Sequence, residues 1–384
     1  MIKLCVITSS RADYGLLRHL LKDILNSASI KLQLVVSGSH LSNADGMTID
    51  EIAADGFDIA ARLPIFNQAK NDQNEISKRI SLAINGFTST FQALTPDLIL
   101  VLGDRYEIFS AAVSATISHI PIIHLHGGEV TEGAYDESFR HSITKMSHVH
   151  FAAAEEYRNR IIQLGENPNN VFCVGGLGVD AIMRSPILTR EELSQTLNVE
   201  IRPTSLLVTY HPPTLENKEE LDGTIQLLSA LDDWDEATIC FTMPNADENS
   251  FHIIEKIKCF VKYKKNAHFF TSLGQIKYYS CLRYFSAVIG NSSSGLLEAP
   301  TFKIPTVNIG NRQDGRLKSD SIIDCRPEKK DIQNAILLAL SSRFKSTLEN
   351  VKNPYGNVGA AQKILAIIES LEPKKLLQKK FYDL

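Results

Sequence analysis

The chain has no apolar run approaching the ~18 residues that a helical membrane span requires, and its 384 residues contain no low-complexity tract or short-period repeat. It has no basic block long enough to form a nucleic-acid footprint, and its net charge of −4 points away from a polyanion partner. The densest basic stretch, Lys374, Lys375, Lys379 and Lys380, reads as the solvated face of a helix. The six cysteines, at 5, 173, 240, 259, 281 and 325, form no C-x-x-C pair and no metal-ligand spacing. Several lie inside apolar runs such as Leu4-Cys5-Val6-Ile7, where buried reduced thiols are expected. No charged leader or small-residue cleavage site precedes the first strand pattern, so a cytoplasmic protein is expected.

With 43 % hydrophobic and 22 % charged residues, the chain has globular composition and enough length for two domains. Short β-branched runs recur with helical stretches between them. Strands are expected near 2–8, 31–37, 97–102, 121–125, 149–153 and 171–174, then near 205–210, 238–241, 268–271, 287–289 and 306–309. The runs are continuous rather than alternating, which suits strands buried on both faces of parallel sheets. Ser185-Pro186, a capping box at Thr189-x-x-Glu192 and Arg202-Pro203 separate the two series and place a hinge there. The expected domains are 1–185 and 186–358. A final helix near 359–371, in the segment 359–384, is expected to pack back on the first domain. In open α/β sheets ligands bind beyond the carboxyl ends of the strands, so the strand-end loops should carry the chemistry.

The first such loop, Thr8-Ser9-Ser10-Arg11-Ala12-Asp13-Tyr14-Gly15, lacks the G-x-G-x-x-G of a dinucleotide dehydrogenase. Arg11 at a helix start suits an anion, or else pairs with Asp13. Asp104, in Gly103-Asp104-Arg105-Tyr106-Glu107, is either a reacting carboxylate or a helix cap. In His124-Leu125-His126-Gly127-Gly128-Glu129 the glycines permit a sharp turn before Glu129. Asp136 precedes a helix expected from about residue 138, and Arg140 lies one helical turn on from Asp136. Asp104, Glu129 and Asp136 thus offer three carboxylates, whose crowding raises a pKa toward the range useful for acid–base work. No H-x-x-x-H or similar spacing accompanies them, so no metal is expected; His148 and His150 read as packing residues.

In the second series, His211-Pro212-Pro213 puts a histidine on a rigid strand-end loop, for proton transfer, phosphate contact or structure. Asn245 lies on another such loop. Gly290-Asn291-Ser292-Ser293-Ser294-Gly295, followed by Glu298, is a hydroxyl-rich turn suited to a diphosphate. A serine-rich helix cap with a helix-start glutamate is the plainer alternative.

Together, and in this order, several pieces resemble the UDP-N-acetylglucosamine 2-epimerase family. They are Ser10 through Gly15, Gly103-Asp104-Arg105, His126-Gly127-Gly128-Glu129, Asp136 through Lys145, His211-Pro212, Asn291 through Gly295 with Glu298, and Gly310-Asn311-Arg312-Gln313. The resemblance is closer to the hydrolysing branch, because the other branch typically carries Arg-Pro-Glu where this chain has Arg11-Ala12-Asp13 and His-Arg-x-x-Asn where it has His211-Pro212-Pro213. It implies a GT-B-like α/β fold of two Rossmann-like domains with a cleft between them; the hinge and the split site together predict that the domains close over substrate. UDP would lie mainly on the second domain. Asp104, Glu129, Asp136 and His211 match positions assigned to catalysis. Ser292 and Ser293 would hold the diphosphate, with Arg11 and Arg312 near it. Glu298 would hold the ribose and Tyr278 the uracil. Arg140, Asn245, Ser294 and Gly295 complete the substrate-binding set.

The implied reaction converts UDP-N-acetylglucosamine and water to N-acetylmannosamine and UDP through a 2-acetamidoglucal, without a cofactor, in a homodimer or homotetramer. Relatives with the same pattern act instead on UDP-N,N′-diacetylbacillosamine. A retaining-type glycosyltransferase and a non-catalytic nucleotide-sugar sensor are the readings from other classes.

Overall fold

The structure, a computed structural model, describes residues 1–42, 47–65, 75–131, 136–211, 218–243, 250–356 and 358–384. The chain divides into two compact units. The first comprises Met1–Val130, Ala134–Ala181 and Tyr355–Leu384; the second comprises Thr131–Gly133 and Ile182–Pro354.

The first unit is built on seven strands: β1 (Ile2–Thr8), β2 (Ile30–Ser37), β3 (Ile59–Leu63), β4 (Leu98–Leu102), β5 (Ile122–Leu125), β6 (Val149–Ala152) and β7 (Val171–Cys173). They form one parallel sheet in the order β3-β2-β1-β4-β5-β6-β7. The pleat explains the continuous apolar runs. Leu4 and Val6 of β1 pack with Leu17, Leu21 and Ile364 on one face. Cys5 and Ile7 pack with Phe87, Ala111 and Ile143 on the other. With helices on both faces, the central strands leave few positions for polar residues, and those present, such as His124 and His150, are buried.

The helix Ala360–Ser370 adds Ala360, Ala361, Ile364 and Ile368 to the first of these cores, beside the helix Arg11–Leu25. Its free backbone N–H groups are met by the Asp180 carboxylate, which accepts from Gly359 N at 2.6 Å and Ala361 N at 3.3 Å.

The second unit repeats the plan with β8 (Ser205–Thr209), β9 (Thr238–Thr242), β10 (Ala267–Phe270), β11 (Ala287–Gly290), β12 (Thr306–Ile309) and β13 (Ile322–Cys325). These are parallel in the order β10-β9-β8-β11-β12-β13. Thr189 and Glu192 form the expected reciprocal capping box at the start of the helix Arg190–Leu197.

Two strands lie outside the sequence expectation, and both are sheet edges. β3 alternates partly buried Ile59, Ala61 and Leu63 with exposed Ala60 and Arg62, and β13 carries the exposed Asp324. An edge strand is not enclosed on both sides, so it lacks the continuous apolar signature. All six cysteines are free thiols. Cys5, Cys240 and Cys281 are buried as expected, whereas Cys173 and Cys259 are exposed.

Each sheet reverses its strand order once, between β1 and β4 in the first unit and between β8 and β11 in the second. At such a switch point adjacent loops diverge and leave room beyond the carboxyl ends of the strands. The motif-bearing loops around Arg11, Asp104, His211 and Ser292 leave these four strands. None of the helices described is long and apolar enough to cross a membrane.

Candidate active site

In the first unit, β4 is followed by Gly103, whose φ of +82° is readily adopted only by glycine and turns the chain so that Asp104 comes next. The carbonyl of Gly103 accepts from His124 Nε2 at 2.9 Å, which ties the Asp104 loop to β5. β5 runs into His126, Gly127 and Gly128. A Cβ on Gly128, at φ +75°, would collide with the carbonyl oxygen of Tyr157, so this turn must be glycine. It delivers Glu129, whose Oε1 lies 2.7 Å from His126 Nδ1.

The helix Asp136–Met146 begins at Asp136 itself, two residues earlier than the sequence suggests. Arg140, one turn in, is only 3 % exposed. Its guanidinium bonds the Asp104 and Glu137 carboxylates and donates to the Glu129 carbonyl at 2.9 Å. One buried cation therefore gathers the Asp104 loop, the Glu129 turn and the helix bearing Asp136. Burial raises the Asp136 carboxyl from 3.8 to about 6, and the Asp104 charge adds to the rise; Arg105 and Arg140 oppose it. Asp136 thus changes protonation near neutrality, as an acid–base group should.

Three residues contribute here that the sequence did not assign. Glu137 shares Arg140 and lies 3.0 Å from His141 Nε2. Glu107 is fully buried and pairs with Arg105 at 3.2 Å. His124 is fully buried and links Gly103 to Thr144, with its pKa pushed down to about 3 by burial. The position after a strand end marks Asp104 and Glu129 in the sequence. No local signal distinguishes Glu137 or Glu107 from ordinary helix-start acids.

The β1 loop is held together by Asp13. Asp13 accepts from Ser9 N at 2.8 Å, from Ser9 Oγ at 3.1 Å and from Ser10 Oγ. Arg11 opens the helix Arg11–Leu25 and pairs with Glu51 at 3.5 Å, both half exposed. Asp104 does not cap the helix Tyr106–Ile117; the cap position is Arg105 and makes no side-chain cap bond.

In the second unit, His211 and Asn291 clamp the two switch-point loops together. His211 N donates to Asn291 Oδ1 at 2.7 Å, and Asn291 Nδ2 donates to the His211 carbonyl at 2.9 Å. The buried His211 imidazole is pushed down to about 3 by burial and by Arg312, so it is neutral at physiological pH. β11 ends at Gly290, at φ +133°, where a Cβ would meet the Thr209 carbonyl. The loop then presents Ser292 and Ser293 before the short helix Ser294–Leu297. Ser293 stands at the cap position but makes no side-chain cap bond.

Ser294 Oγ bonds Glu298 and lies 2.6 Å from the Tyr278 hydroxyl, while Tyr279 donates to Glu298 at 3.4 Å. Burial raises the Glu298 pKa. Gly295 packs against Thr306, whose Cγ2 would lie 2.7 Å from an added Cβ. Arg312 Nη1 and Gln313 Nε2 both donate to the Asn291 carbonyl, at 3.2 and 2.8 Å. Asn245, Pro212 and Pro213 lie outside the described residues. Among the described residues no group of three His, Cys, Asp or Glu could hold a metal ion.

The arrangement offers a carboxylate cluster able to move protons in one unit. In the other it offers a hydroxyl-rich turn with a neutral histidine, an arginine and a half-buried carboxylate, donors suited to a diphosphate and an acceptor suited to a ribose.

Comparison with known proteins gives a consistent picture. A family model described as UDP-N-acetylglucosamine 2-epimerase matches residues 22–369. A Campylobacter jejuni protein named GDP/UDP-N,N′-diacetylbacillosamine 2-epimerase (hydrolyzing) is 40 % identical, covering 100 % of this chain and 99 % of its own. Polysialic acid biosynthesis protein P7 of Escherichia coli is 39 % identical over 100 % and 98 %. The UDP-N,N′-diacetylbacillosamine 2-epimerase (hydrolyzing) of Legionella pneumophila is 34 % identical over 96 % of each chain. Among solved structures, a Neisseria meningitidis UDP-GlcNAc 2-epimerase bound to UDP-GlcNAc shares the fold with a TM-score of 0.82. It is 16 % identical, and the match covers 96 % of this chain and 99 % of that one.

Proposed function

The chain belongs to the UDP-N-acetylglucosamine 2-epimerase family, and we propose that it is a hydrolysing 2-epimerase whose substrate is UDP-N,N′-diacetylbacillosamine. The names of the Campylobacter and Legionella relatives support the diacetylated substrate over the UDP-N-acetylglucosamine expected from the motifs alone. The observation that carries the chemistry is the set of carboxylates gathered around Arg140, with the Asp136 carboxyl raised to about 6.

One group of the Asp104, Glu129 and Asp136 set removes the C2 proton. The C2–H electrons form the C1=C2 bond as the C1–O bond breaks and UDP leaves with its electron pair. Water then adds its oxygen to C1 of the glucal, and a proton returns to C2 from the opposite face. The products are UDP and the free 2,4-diacetamido-2,4,6-trideoxymannose. Two faces need two proton-transfer groups, which is why a single carboxylate would not suffice. Ser292, Ser293, Arg11 and Arg312 hold the diphosphate, Glu298 the ribose and Tyr278 the uracil. His211, neutral, donates toward the leaving phosphate.

The test is UDP release measured with each nucleotide sugar alone. A kcat/KM higher by at least about tenfold for UDP-N,N′-diacetylbacillosamine, roughly 1.4 kcal/mol of discrimination, supports the proposal. A preference for UDP-N-acetylglucosamine overturns it in favour of a second reading, a sialic-acid-type 2-epimerase, which the relationship to the polysialic acid protein supports.

A further inference from the structure

The basic C-terminal stretch is solvated, as its composition suggests, at Lys374, Lys375 and Lys380, but not at Lys379. Lys374 and Lys375 are exposed on the short helix Pro373–Leu376, but the Lys379 side chain is only 23 % exposed. Its ammonium has three N–H donors and three acceptors: the carbonyls of Lys145 and Ser147, each at 2.6 Å, and Glu166 Oε2 at 2.7 Å. The first two lie at the C-terminal end of the helix Asp136–Met146, where carbonyls lack partners within the helix and the dipole favours a cation.

Glu166, nearly fully buried, also accepts from Lys145 Nζ at 2.6 Å and His150 Nε2 at 3.0 Å, so the same carboxylate ties the helix to β6 as well as to Lys379. The tail is seated by further contacts. Tyr382 N donates to the Gly165 carbonyl at 3.0 Å, and Phe381 lies against Lys145 with Nζ 4.9 Å from the ring centroid. Phe381 occupies the space that a Cβ on Gly165 would need.

We propose that Lys379 is a positioning residue for the reaction: it fixes the C-terminal end of the helix whose N-terminal end carries Asp136 and Arg140. The inference rests on the functional reading given above. An 11-residue helix is a rigid rod of about 16 Å, so slack at one end becomes displacement at the other. Arg140 is the shared partner of three active-site elements, which makes that displacement costly. The tail contacts named here, to Lys145, Ser147, Gly165 and Glu166, all lie away from the carboxylate cluster.

The experiment uses the full chain with Lys379→Met and Lys379→Arg. Glu166 keeps Lys145 and His150 as partners in both, so the fold is expected to survive. In Lys379→Met, kcat should fall roughly ten- to a hundredfold, the scale of a displacement of about 1 Å at reacting groups. KM and UDP affinity should stay within about twofold. Amide hydrogen exchange over residues 140–147 should quicken. Lys379→Arg, which keeps a cation there, should recover most of kcat. Phe381→Ala, which loosens the tail with every charge in place, should shift the same readouts in the same direction by less.

Unchanged kcat and exchange in Lys379→Met would overturn the inference. So would a loss of kcat matched by an equal loss of UDP affinity and not recovered by Lys379→Arg. If the unmodified protein turns over neither nucleotide sugar, the functional reading fails instead, and the exchange measurement still tests whether Lys379 holds the helix.

Discussion

Replacing Asp136 by Asn should abolish turnover and at the same time make the protein more stable at alkaline pH. The folded protein raises the Asp136 carboxyl from 3.8 to about 6, chiefly by burial and next by the Asp104 charge. The protonated form is therefore the one the fold prefers. Its contribution to stability is full below pH 3.8 and is lost as pH rises through about 6. At ~1.4 kcal/mol per pH unit the full penalty is about 3 kcal/mol at pH 8, and about half of that at pH 5. Asp136 is partly open to solvent, so these figures are ceilings. Asn keeps the shape and never ionises.

The assay is the thermal midpoint of both proteins at pH 8 and pH 5. At about 2–4 °C per kcal/mol for a unit of this size, the variant should melt several degrees higher at pH 8, with a smaller gain at pH 5. A variant that melts at or below the unmodified protein at pH 8, or a gain independent of pH, would refute the reasoning. The unmodified enzyme should also show an inflection near pH 6 in kcat/KM. Loss of activity below it marks Asp136 as the base, and loss above it marks the acid.

Asp104→Asn and Glu129→Gln should leave UDP affinity, measured by calorimetry, within about threefold while lowering kcat by roughly 10² or more; full activity in both would remove them from the chemistry. His211→Gln should lower kcat roughly hundredfold. Because the His211 imidazole is already neutral above about pH 3, the pH–rate profile between 5 and 9 should keep its shape, and a vanished inflection would contradict this. Gly128→Ala should cost about 2–5 kcal/mol of stability, from positive φ and the collision with the Tyr157 carbonyl. An unchanged melting temperature would contradict the turn geometry.

The central strands were legible because burial on both faces leaves an unbroken apolar run, as in Leu98–Leu102. β3 and β13 were not, because an edge position tolerates Arg62 and Asp324. Within the first unit the structure draws Asp104, Glu129 and Asp136 around one cation, residues marked in the sequence by their place after strand ends. The spacing of Asp136 and Arg140 suggested a pair on one helix face. The Arg140 charge does act on the Asp136 carboxyl, and Arg140 also bonds Glu137 on the same helix and Asp104 and the Glu129 carbonyl, the last two of which only the folded sheet brings within reach. Lys379 is the extreme case. Two of its partners, the carbonyls of Lys145 and Ser147, lie 234 and 232 residues away, so local composition carried no trace of them.

Hydrolysis with inversion at C2 is the central claim, and product identity tests it most directly. Proton and phosphorus NMR should follow the purified protein with UDP-N,N′-diacetylbacillosamine in D2O, with no acceptor or metal added. The account predicts UDP together with a free 2,4-diacetamido sugar of manno configuration, carrying deuterium at C2. A product still linked to UDP, or an unaltered substrate in a protein that nonetheless turns over no UDP-N-acetylglucosamine, would contradict it.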